Sequence, residues 1–117
     1  MATIKSFTDL SQSEALSKIL SLESADMRFC FSHTLDGRIT GHYPMIGREP
    51  SLGTIPCWSL AALLSVLPEV SLNTFKDGKW NAMVQHDGKM IYGDKDNPID
   101  ACYELILNLH ELNLLRL

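Results

Sequence analysis

A cysteine, a histidine and a nearby cation are the ingredients of an activated thiol, and one stretch of this chain holds all three. Arg28, Cys30 and Ser32 alternate along one side of an expected strand, and Thr40 and His42 follow on the returning one. A thiol becomes a good nucleophile when a neighbouring base or positive charge favours its thiolate. Across a hairpin, Cys30 opposite His42 with Arg28 on the same face would suit a small cysteine-dependent hydrolase or transferase. The same residues also describe an ordinary polar sheet face. A working dyad needs an oxyanion hole and an orienting carboxylate as well, and neither is visible. Cys30 and His42 therefore carry the alternative reading, and no residue is assigned as catalytic.

Other chemistries are thinner still. His110 follows Cys102 and Glu104 on one helix, but at about 100° per residue it falls with Tyr103, Leu107 and Leu114, away from Cys102. One histidine alone does not hold a metal, and His33, His42 and His86 show no HxH or HExxH spacing. Asp94, Asp96 and Asp100 are spaced like part of a calcium loop without its glycine, its terminal glutamate or its other ligands. They read better as a turn followed by a helix start. Gly47 and Gly53 have prolines around them and no Gly-Lys-Ser/Thr after them, which excludes a phosphate loop. No metal and no cofactor is expected. Trp58 and Trp80 read as core.

The elements that would position these residues form an α+β domain spanning 1–117. Ser11-Gln-Ser-Glu14 reads as a capping box opening the first helix, which Glu23-Ser24-Ala25-Asp26 closes. Met27 to Ser32 alternates as a half-buried strand, turns at Leu35-Asp36-Gly37 and returns over Arg38 to Tyr43. Pro44, Gly47, Pro50 and Gly53 make 44–54 a long loop. A second helix is expected from about Pro56 to Leu67, apolar almost all round and so buried centrally. Asp-Gly turns at Asp77-Gly78 and Asp87-Gly88 divide Val70 to Gly93 into a three-stranded meander. Asn97 as N-cap, Pro98 at N1 and Asp100 in the first turn open a last helix running to about Leu114. The expected order is α-β-β-α-β-β-β-α: about five antiparallel strands, with three helices covering one sheet face.

Register follows from which pairing makes one face apolar. Three-residue loops, each with its glycine in a left-handed bulge, pair Phe31 with Gly41, Phe29 with Tyr43, His33 with Ile39, and Cys30 with His42. They also pair Leu72 with Ala82, Thr74 with Trp80, Val84 with Met90 and Ala82 with Tyr92. Gly37, Gly78 and Gly88 should then all have positive φ.

Ile55-Pro-Cys-Trp-Ser-Leu-Ala-Ala-Leu-Leu64, Asp96-Asn-Pro-Ile-Asp-Ala-Cys-Tyr-Glu104 and Phe7-Thr-Asp-Leu10 resemble phrases in a group of small uncharacterised proteins of gut Bacteroides-type bacteria and their prophages or mobile elements. The resemblance implies a source and a shared fold, and brings neither an activity nor a site residue.

Composition bounds the rest. Charged residues are 21% and hydrophobic ones 45%, with a net charge of −4 and ten scattered Lys and Arg, which speaks against nucleic acid as main partner. Three cysteines without CxxC spacing suit the reducing cytoplasm. No segment looks like a signal peptide or is long enough to span a membrane. The first-ranked reading is a non-enzymatic module that binds a protein partner or forms a homo-oligomer. On the last helix, Ile99, Cys102, Leu105, Ile106, Leu109 and Leu112 should face the sheet. Tyr103, Leu107, His110 and Leu114 form a second apolar stripe, the expected interface.

Overall fold

The computed structural model describes residues 5–47 and 54–115. The fold is α+β: three helices and two separate three-stranded antiparallel sheets. In chain order the elements are α1 (Leu10–Leu16), β1 (Met27–His33), β2 (Ile39–Ile46), β3 (Ile55–Cys57), α2 (Leu60–Val66), β4 (Ser71–Thr74), β5 (Trp80–His86), β6 (Lys89–Lys95) and α3 (Pro98–Glu111), with a short 3-10 turn at Leu22–Ser24. The expected order holds with one strand added, so there are six strands rather than five.

The added strand is β3, drawn from residues expected to start the second helix. Phe29 pairs with Ile55 and Met27 with Cys57, giving a first sheet ordered β2-β1-β3. Pro56 is accommodated because β3 is an edge strand, where a missing N–H breaks no ladder bond. Helix α2 therefore begins after Ser59, whose hydroxyl accepts from the Ala62 amide at 3.2 Å. Asp26 holds that serine in turn, accepting from its amide at 3.0 Å and from its hydroxyl. The helix is not apolar all round in its surroundings: Ala62 and Leu63 are buried, while Ala61 and Ser65 face water.

Helix α1 is capped by Asp9, two residues before the expected cap Ser11. Asp9 accepts from the Gln12 amide at 2.8 Å, and the Gln12 side chain accepts from the Asp9 amide at 3.1 Å, a reciprocal capping box. Ser11 is exposed instead, while Thr8 and Ser13 are buried and share a 2.8 Å hydrogen bond. Thr8 also exchanges bonds with Trp58, and that anchoring sets where the helix can begin.

The second sheet, ordered β4-β5-β6, presents Ala82 and Val84 to α3. Ile99, Ala101, Cys102, Leu105, Ile106 and Leu109 of α3 are buried, in line with the expected stripe, whereas Leu112 is exposed. With Leu16, Leu20, Trp58 and Leu63 they form the core. At about 25 cal/mol per Å² of apolar surface, such burial is the main force holding α3 on the sheet.

Gly37, Gly78 and Gly88 have φ of 87°, 87° and 76°, as the turn argument requires. The first two close three-residue loops, with Thr34 donating to Arg38 at 2.8 Å and Phe75 to Lys79 at 2.9 Å. Leu72 pairs with Ala82 and Thr74 with Trp80, as expected. The third turn is different. Asp87 also has positive φ, 50°, so Asp87-Gly88 is a two-residue turn joining His86 to Lys89. Two successive left-handed residues match the strand twist best, and the register becomes Val84–Ile91 and Ala82–Gly93 instead of Val84–Met90 and Ala82–Tyr92.

Candidate functional site

Thr34 and Arg38 close the first hairpin so that His33 faces Ile39, in the expected register. One step further the ladder slips: Ser32 faces Gly41, leaving Thr40 as an extra residue on β2. Such a bulge shifts every later pair by one and sharpens the local twist. Phe31 consequently faces His42, Cys30 faces Tyr43 and Phe29 faces Pro44. The expected Cys30–His42 pairing does not form. Cys30 and His42 lie on opposite faces of the sheet, where no thiol–imidazole contact can be made, and the geometric basis of the cysteine-enzyme alternative is gone. His42 instead packs T-shaped with Phe29 and tilted with Phe31, with ring centroids 5.3 and 6.4 Å away.

The remaining thiols are buried. Desolvation pushes Cys102 up to about 11 and raises Cys57 despite hydrogen bonds from Thr8 and Ser13. Neither is a nucleophile near neutral pH. Two of the three acids take separate partners: Asp96 takes Lys79 at 2.7 Å, while Asp100 takes Lys5 at 2.9 Å and Gln12 at 2.7 Å. Among the described residues, no three histidine, cysteine or acidic side chains gather at one point.

The second stripe on α3 is divided. Tyr103 and Leu114 pack against the core, Leu107 is half-buried and His110 is exposed. Leu114 is not on the helix at all. Asn113 adopts φ 57°, its amide bonds to His110 O at 3.1 Å, and the Leu114 amide bonds to Leu109 O at 2.9 Å. This is a Schellman turn, and it folds Leu114 back beside Leu109. Leu109 and Leu114 line a groove of about 540 Å³ together with Val66, Leu67, Pro68 and Val84 and the polar Gln85, His86 and Asn113.

The most open apolar surface lies elsewhere, on the β1–β2 hairpin. Leu35 at its tip is fully exposed, Ile46 at its base is 88% exposed, and Ile39 is 64% exposed. Tyr43 and Met45 are about half exposed between them. Phe31, His42, Ile39 and Ile46 share one face, while Cys30, Tyr43 and Met45 share the other. Near the body, Phe7 covers Phe29 edge-on at 6.0 Å. Ile39 to Ile46 contains no Lys, Arg, Asp or Glu, and at the tip Asp36 and Arg38 pair with each other at 3.2 Å.

Sequence reasoning passed over this surface because it treated β2 as one side of a half-buried hairpin and Pro44 as the start of a loop. The available signal was the uncharged run Ile39–Ile46 ending in two apolar residues after a proline. In an edge strand, such a run exposes apolar side chains that a charged edge would not. No helix among the described residues is long and apolar enough to cross a membrane. No protein-family model, curated protein or solved structure matches the chain.

Proposed function

We propose that this protein is a non-enzymatic, cytoplasmic protein-binding module whose contact surface is the β1–β2 hairpin. One observation carries the reading: Leu35, Ile39, Tyr43, Met45 and Ile46 all stand in water on a single projecting hairpin. Leu35 at the tip with Ile39 and Ile46 on one face offer on the order of 500 Å² of exposed surface, within the size of a monomer's largest patch, which is often functional. The α3 stripe is the lesser surface, since Tyr103 and Leu114 commit their apolar area to the core. The three free thiols suit a reducing compartment. The resemblance in the Ile55–Leu64 and Asp96–Glu104 phrases supports a setting in a bacterial prophage or mobile element.

A photo-crosslinking residue tests the surface without knowledge of the partner. Benzoylphenylalanine at position 46, expressed in the native host, is expected to yield discrete covalent protein adducts, and at position 73 on β4 to yield none. Adducts at 73 with none at 46 would overturn the assignment of the hairpin.

A further inference from the structure

We infer that residues 5–9 are a latch on the seam between the first sheet and the rest of the molecule, and that this seam opens ahead of the main core when the latch lifts. Among the described residues, no side chain of β1, β2 or β3 belongs to the apolar cluster formed by the helices and the second sheet. The first sheet has a small interior of its own, where Phe29 and Cys57 are buried. A part that shares little apolar surface with the core opens at a lower free energy than the core does.

β1 begins and β3 ends at one place. Asp26, just before β1, accepts from the amide of Ser59, just after β3, at 3.0 Å. Beside it, Trp58 Nε1 donates to Ser24 Oγ at 2.9 Å. Two attachments fastened side by side act as a hinge, which fixes where the sheet is joined and leaves its closure to other contacts.

The seam itself is polar. Thr8, Ser13 and Cys57 are all fully buried in it. Thr8 Oγ1 lies 2.8 Å from Ser13 Oγ and 3.7 Å from Cys57 Sγ, and the Cys57 thiol donates to Thr8 O at 3.4 Å. Such small groups bury little apolar surface, so they contribute little hydrophobic stabilisation of their own.

Residues 5–9 cover this seam and grip both sides of it. Phe7 bridges Ser59 in antiparallel fashion, the Thr8 amide donates to Trp58 O at 2.9 Å, and the Trp58 amide donates to Thr8 Oγ1 at 3.1 Å. Towards the sheet, Phe7 meets Phe29 edge-on with ring centroids 6.0 Å apart. Towards the body, Lys5 donates to Asp100 at 2.9 Å, on α3, and to Gln12 at 2.8 Å, on α1. Because the hairpin projects from this sheet, the latch also sets how the hairpin stands on the body; the inference holds whether or not the hairpin binds a partner.

Thiol labelling of the native protein reads the latch, because Cys57 lies beneath it and Cys102 lies in the main core, both fully buried. With iodoacetamide, and rates corrected for those of the unfolded chain, Cys57 should react at least about tenfold faster than Cys102. Among the described residues, the hydrogen bonds of Lys5 end on Asp9, Gln12 and Asp100, outside the first sheet. Lys5→Ala should nevertheless speed Cys57 about threefold or more and leave Cys102 unchanged. Phe7→Ala should speed Cys57 roughly tenfold. Ile106→Val should speed Cys102 about threefold without changing Cys57. Two thiols that react at one rate and respond alike to every variant would mean that seam and core open together, which overturns the proposal. A Lys5→Ala variant that leaves Cys57 at its wild-type rate, or speeds both thiols alike, overturns it too. Lys5 is part-exposed, so that variant decides the matter should Phe7→Ala fail to fold.

Discussion

Gly93 shows how much a single hydrogen can determine. It sits on β6 where α3 crosses, and a Cβ there would lie 2.1 Å from the Ala101 carbonyl oxygen and 2.8 Å from the Leu105 nitrogen. Those atoms are helix backbone and cannot turn aside, so a methyl group has to lift α3 off the sheet. Gly93→Ala is expected to lower stability by roughly 3 kcal/mol or more in urea titration, the upper range for overpacking. Gly41→Ala, with open space around it, should change little. Lys5, Gln12 and Asp100 form a second decisive cluster, tying the chain before α1 to the start of α3. Partial burial opposes ionisation of Asp100, but hydrogen bonds from Lys5, Gln12 and Asn97 outweigh it and hold its carboxyl below the usual 3.8. A carboxylate with a depressed folded value contributes stability above its unfolded value and loses it as pH falls through the folded one. Asp100→Asn should therefore cost about 1 kcal/mol at pH 7, and the gap from wild type should close on acidification below the ordinary carboxylate range. A gap independent of pH would contradict the ion-pair account. Neither cluster was legible in the residues alone. Gly93 looked like any strand glycine, and Lys5 and Asp100 are 95 positions apart.

At the scale of elements, the parts governed by local chemistry could be read directly. Asn97-Pro98 opens α3 with the Asn97 side chain accepting from the Asp100 amide at 2.8 Å, and the three turn glycines are left-handed. What escaped were features set by contacts distant in sequence. Ile55-Pro56-Cys57 resembles a helix start until β1 offers it a ladder. The bulge at Thr40 has no local signature, yet it separates Cys30 from His42, so the expected pairing across the hairpin does not form. The end of α3 lies between these cases. Asn at C′ is a recognised helix stop, but apolar Leu112 and Leu114 suggested that the helix continued. Holding a non-glycine residue in the left-handed region costs about 1 kcal/mol. Asn113→Gly should thus be neutral or slightly stabilising, while Asn113→Val should lose more than 1 kcal/mol and loosen Leu114 from Leu109. Thermal melts of the two variants check this; equal melting temperatures would mean that the turn is not what anchors Leu114.

For the whole molecule, the consequence is an uneven distribution of apolar surface. The helices and the second sheet enclose the core, whereas the first sheet is joined to it through β3, Phe7 and the Asp26–Ser59 bonds. The radius of gyration, 15.5 Å, exceeds the roughly 13 Å of a compact chain this long, and the extents of 56 × 36 × 20 Å are those of an elongated body. A projecting hairpin with exposed isoleucines at both ends is the feature that this architecture leaves without an internal role, and the proposed partner binding gives it one. Photo-crosslinking in the native host, with benzoylphenylalanine at position 46 on the hairpin and at position 107 on α3, tests that claim most directly. Discrete protein adducts at 46 and none at 107 are the expected result. Adducts at 107 with none at 46 would contradict it.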